Sequence, residues 1–127
     1  MPQPIEALTT ATLSLALSAA SQRHQAIAAN MANATAQGYS PVRLAFEEHL
    51  ADARQALRER GSVDAQSLAA ARIELEPHVD AFGAPVPVQL DAAMVEMARN
   101  AVHYQALTQG LSRHLGLHAM AVADGRR

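Results

Sequence analysis

Two stretches of the chain carry apolar side chains at helical spacing, and a less regular segment separates them. From Ile5 to Met31 there is no glycine or proline, and Pro2 and Pro4 stand just ahead, where a helix start tolerates proline. Leu13, Leu17, Ala20, Ile27 and Met31 form one stripe, with Leu8, Leu15, Ala19 and Ala26 forming a second beside it. Apolar cover that wide, over ~40 Å of helix, calls for more than one packing neighbour. Asn30, Asn33, Gly38 and Pro41 then supply turn and stop residues.

The C-terminal pattern is more regular. Leu90, Met94, Met97, Ala101, Tyr104, Thr108, Leu111 and Leu115 alternate at spacings of four and three, an a/d heptad seam in which only Thr108 is polar. Asp91 is placed to cap the start and Gly116 to stop the end, which predicts a helix roughly 37 Å long. Burying the large apolar side chains of this seam contributes at most ~1.5–3 kcal/mol each. A helix on its own cannot collect that energy, so the seam requires a partner helix.

In the middle, Leu44–Arg60 reads as a Glu- and Arg-rich helix closed by Gly61, with Glu47 and Asp52 placed to pair with Arg54 and Arg58. Arg72-Ile73-Glu74-Leu75-Glu76 alternates like a short strand, and the proline-rich run Pro77–Pro87 reads as loop. The predicted fold is mainly α. Two long terminal helices pack as a coiled coil, with a short helix and a small loop/β-like insert between them. Residues 1–40 hold the first helix and its turn, 41–89 a small middle segment, and 90–127 the heptad helix and tail. The middle has too few large apolar residues for a core of its own, so the three parts make one structural unit.

Composition sharpens this picture. Alanine fills 29 of the 127 positions, while the aromatics amount to two Phe and two Tyr. Such side chains suit closely spaced helices and build poor walls for a small-molecule pocket. All ten basic residues are arginine and the net charge is −2, so no basic field is present to hold nucleic acid or an anionic bilayer. Without cysteine there is no disulfide and no thiol chemistry. No run approaches the ~20 apolar residues of a membrane span. A cleavable secretion signal is not expected either, since no basic residue precedes Arg23 and Glu6, Thr9, Thr10, Thr12 and Ser14 break the apolar start.

The titratable residues offer little chemistry. His114 and His118 stand four apart, as two metal ligands on a helix would, but Gly116 lies between them and no third ligand completes the set. A metal enzyme built on His103, His114 and His118 is therefore the weakest reading. His24 falls in the first helix's stripe and reads as an interhelical polar contact. Glu47, Glu48 and His49 are adjacent, so they do not face one another on a helix and read as a solvated surface. With no nucleophile motif and no phosphate loop, the expectation is no enzyme, no catalytic residue, no metal, no cofactor and no small-molecule substrate.

The run Ala28-Ala29-Asn30-Met31-Ala32-Asn33-Ala34-Thr35-Ala36-Gln37-Gly38-Tyr39 resembles the N-terminal rod motif of bacterial flagellar axial proteins. Gln37 stands where that motif usually has proline. The run Leu90–Leu107, with Asp91, Met94, Met97, Ala98, Asn100, Tyr104 and Gln105 in place, is similar to the C-terminal end of the family's proximal-rod branch. There Ala93 replaces an acidic residue. The resemblance implies a structural subunit of the flagellar basal-body rod, transmitting torque through packed terminal helices. It further implies a periplasmic location reached through the flagellar type III export apparatus without a cleaved signal. Implied partners are copies of the chain, other rod proteins, and rod-base, MS-ring and export-gate components.

The residues expected to carry such assembly are the seam from Leu90 to Leu115. With it go the N-terminal stripe Leu8, Leu13, Leu15, Leu17, Ala20, Ile27 and Met31, and the turn residues Asn30, Asn33, Thr35, Gly38 and Tyr39. An alternative reading is a soluble helical adaptor or export chaperone that binds one partner through the same C-terminal seam.

Overall fold

The computed structural model describes residues 5–46, 50–61, 63, 68 and 71–126. Glu47, Glu48 and His49 lie outside the described residues, as do Pro2, Pro4 and the side chain of Asp52. Helix α1 spans Ile5–Ala32, strand β1 Val42–Ala45, helix α2 Ala51–Arg60, strand β2 Glu74–Pro77 and helix α3 Leu90–Asp124. The protein is mainly helical: the two long helices pack together, with a short helix and a two-stranded sheet between them in sequence.

The long helices run antiparallel. Asn100 of α3 donates to the carbonyl of Ala20, and a Cβ at Gly110 would stand 4.0 Å from Leu13 Cδ2, so rising numbers in α3 meet falling numbers in α1. Where Asn100 crosses, α1 presents Ala20, 1 % exposed, and further along Leu13 stands against Gly110. Short side chains bring the backbones close and gain dispersion contacts without large interlocking groups.

α1 also has a second neighbour. On its other side Leu15 and Ala19 meet Leu44, Phe46, Leu50 and Ile73 of the middle segment. That segment is held by an antiparallel ladder in which Val42 faces Pro77, Arg43 faces Glu76, Leu44 faces Leu75 and Ala45 faces Glu74. Arg43 and Glu76 also pair across the strands at 3.5 Å, an exposed contact of small energetic value. Pro77 closes β2 at a sheet edge, where its missing N–H is tolerated.

Several boundaries differ from the sequence expectation. Leu44 and Ala45 belong to β1, not to the Glu- and Arg-rich helix, because the ladder with β2 and the contact of Leu44 with Ala19 and Phe46 outweigh local helix preference. α2 therefore starts at Ala51. Gly61 closes it as expected, with φ 69° and its N–H on the carbonyl of Leu57. The strand lies at Glu74–Pro77, two residues later than the alternation suggests at its start.

Gly116 does not stop α3, which continues to Asp124 and reaches ~52 Å. A helical glycine costs about 1 kcal/mol against alanine, and the good helix formers Leu115, Leu117, Met120 and Ala121 around it carry the helix through. Asp91 lies inside the first turn, not at the cap, and Gln89 holds the cap position without a side-chain bond. The Asp91 carboxylate accepts from the Ala92 N–H at 2.9 Å and still favours the positive end of the helix dipole.

Because Ala20 is sealed beneath Asn100, Ala20→Leu should force the helices apart and lower stability by ~1–3 kcal/mol in urea unfolding. Ala29→Leu, at an exposed position of the same helix, should stay within ~0.5 kcal/mol of the parent chain.

Candidate functional site

Two constructions stand out: the corner after α1 and the two faces of α3. At the corner, the Asn30 carboxamide grips one residue of β1 at both ends. Nδ2 donates to the Val42 carbonyl at 2.7 Å, and Oδ1 accepts from the Val42 N–H at 3.0 Å. The Tyr39 hydroxyl donates to the same Oδ1 at 2.9 Å. Asn30 thus does for edge strand β1 what another strand would do, pairing a backbone N–H and C=O that face the helix.

The rest of the turn is self-contained. Asn33 sends both its N–H and its Nδ2 to the carbonyl of Ala29, at 3.1 and 2.8 Å. The N–H of Ala36 bonds Asn33, and that of Tyr39 bonds Ala36. Gly38 has φ 74°, a left-handed conformation that glycine adopts without steric cost. The turn therefore closes with Gln37 in place, and Thr35 is exposed on its outside.

The N-terminal stripe faces inward along its length. Ala20 and Ile27 are buried, and Leu8, Leu13, Leu15, Leu17 and Met31 are half-buried. The C-terminal seam divides. Met97 and Leu111 turn partly toward α1, whereas Leu90, Met94, Ala101, Tyr104, Thr108 and Leu115 are exposed. In their place Ala93, Asn100, Leu107, Gly110 and His114 are the positions drawn inward. The inner face of α3 is thus rotated by one position from the apolar seam.

Asn100 marks the inner face. It is 6 % exposed, donates to Ala20 at 2.8 Å, and its Oδ1 has no hydrogen-bond partner among the described residues. His114 Nε2, further along the same face, is likewise sealed and unpartnered there. Such polar flaws weaken a helix contact while restricting the registers in which it forms.

Rotation leaves an uncovered outer row: Leu90, Met94, Ala98, Ala101, Gln105, Thr108, Ser112 and Leu115, all exposed and none charged. Met94 is 61 % exposed and the flanking Val102 67 %. Glu96, Arg99 and Arg113 all lie off this row. Toward the C-terminus Leu117, Met120 and Val122 are also exposed, on a helix about 10 Å longer than α1. No helix among the described residues is long and apolar enough to cross a membrane.

The histidines do not converge. His24, His103 and His118 are exposed and His114 is half-buried, and no group of three potential ligands occurs among the described residues. Asn100, Leu107 and Gly110 are the positions that sequence reasoning passed over as inward-facing. The available signal was the absence of charge from the outer row, which a helix buried along that row and one merely awaiting a partner there share equally.

Asn30→Ala removes both bonds to Val42 and is expected to cost ~1–3 kcal/mol. Faster hydrogen exchange at the Val42 amide would place the loss at the corner. Asn100→Leu, which removes the unpaired Oδ1 together with its donor, should leave stability unchanged or raise it. Urea unfolding of that variant checks this.

Against known proteins, no family model matches the chain and no curated protein matches it.

Proposed function

We propose that the chain is a structural subunit of the proximal rod of the bacterial flagellar basal body, of the FlgB type, without enzymatic activity. In this reading it leaves the cytoplasm through the flagellar type III apparatus. It then packs against copies of itself, other rod proteins and the components at the rod base. The observation that carries the reading is the coincidence of two features in one segment. Leu90–Leu107 holds the residues similar to the family's C-terminal run, and the same segment bears the exposed, uncharged row beginning at Leu90 and Met94. An apolar row of this kind gains stability only when another surface covers it.

In this reading torque passes between subunits through side-by-side helices, and within the chain α1 and α3 are tied where Asn100 donates to the Ala20 carbonyl. The Asn30 corner ties the end of α1 to the sheet, so load on the helix reaches the middle segment through hydrogen bonds and not through a loose turn.

The test is Met94→Asp in the chromosomal copy of the source bacterium. Met94 makes little contact within the chain, so the purified variant should keep the parent's helicity and unfolding midpoint. Motility should be lost, because a carboxylate buried in the row has no partner. Normal swimming, with the chain retained in the cytoplasm on a single partner, would replace this reading with the helical adaptor.

A further inference from the structure

Phe82 is 94 % exposed at the tip of the hairpin that leads from β2 toward α3. Lone exposed hydrophobic residues are ordinary, but this one stands on a turn whose backbone is fixed. Asp80 Oδ1 accepts from the N–H groups of Phe82 at 2.8 Å and Ala84 at 2.9 Å. The Asp80 N–H bonds the Ala84 carbonyl at 2.8 Å, the Gly83 N–H bonds the Asp80 carbonyl at 3.0 Å, and Gly83 takes φ 81°. Below the turn, Val86 bonds back to His78. A turn already ordered loses no backbone freedom on docking, and an aromatic side chain at its tip is of the type that anchors interfaces.

The same chain offers a receptor for it. A hollow of about 350 Å³ lies between α1 and α3, with Ile27 and Asn100 at its buried base. Arg23, Arg99 and His103 stand around it, with Glu96 as the acid among its lining residues. Guanidinium groups stack on aromatic faces and pair with carboxylates. Phe82 and Asp80 present those two groups side by side.

We propose that Phe82 of one copy seats in the Arg99 hollow of a second copy, with the Asp80 carboxylate beside the Arg99 guanidinium. The fit is one of chemistry: an aromatic ring and a carboxylate meet a hollow that offers Ile27 at its base and the Arg99 guanidinium at its rim. Knob and hollow are different surfaces of one chain, so the contact is head-to-tail and repeats from copy to copy. It goes beyond the assembly proposed for the outer row of α3 and uses none of that row's residues.

The experiment places the photo-reactive residue p-benzoylphenylalanine at position 82 of the full chain. Cross-linked peptides are mapped after irradiation at concentrations up to about 1 mM, the range of a weak contact. Intermolecular links to the segments around Arg23–Ile27 or Glu96–His103 are expected. Phe82→Ala and Arg99→Glu, both at exposed positions, should each weaken association at least tenfold in sedimentation velocity, on the order of an interface anchor's loss. A chain monomeric throughout that range, unchanged association of both variants, or links to the Met94 and Val102 surface would each overturn the proposal. Because Met94→Asp leaves knob and hollow intact, failure here is distinguishable from failure of the α3 row.

Discussion

The hydrogen bond from Asn100 to the carbonyl of Ala20 sets the arrangement on which the other features depend. It occurs where two long helices are close enough for a short carboxamide on one to reach the backbone of the other. That closeness exists because α1 presents the short side chain of Ala20 there, almost fully sealed. Once Asn100 is turned inward, helical geometry dictates the rest of α3: Ala93, Leu107, Gly110 and His114 follow it in, and Leu90, Met94 and Leu115 are carried outside. A buried polar group is a costly way to select a face, and here its Oδ1 remains unpaired among the described residues. The cost comes with a definite register.

The core that results is thin. No large side chain is fully buried among the described residues, and of the bulkier buried groups Leu44 and Phe46 gather with Ala19 where the middle segment meets α1. Two connections keep that segment in place. The β1–β2 ladder joins its two ends, and the Asn30 carboxamide joins β1 to the helix. α1 is therefore shared between α3 and the insert, which accounts for apolar positions distributed around more than one of its faces.

Surfaces left over from this arrangement are of two kinds. The outer row of α3 is long and uncharged, with Leu90, Met94 and Leu115 as its large apolar members. The hairpin tip with Phe82 and the hollow beside Arg99 are compact.

Much of the architecture is legible along the chain. Unbroken apolar periodicity over Ile5–Met31 and from Leu90 onward determines two long helices, and Gly61 ends the short one, because these are local properties of propensity and backbone conformation. Local signals also misplace what is settled elsewhere. Gly116 looks like a stop, yet the helix formers on both sides carry α3 past it, and Leu44 looks helical, yet a strand about thirty residues further along claims it. The heptad seam is the clearest case. Sequence determined that α3 has an apolar row and that this row needs a partner; tertiary structure decided that α1 takes the neighbouring row instead. The reason is steric: Ala20 lets Asn100 approach at short range, which turns Met97, Leu107 and Leu111 toward α1 and leaves Leu90, Met94 and Leu115 exposed.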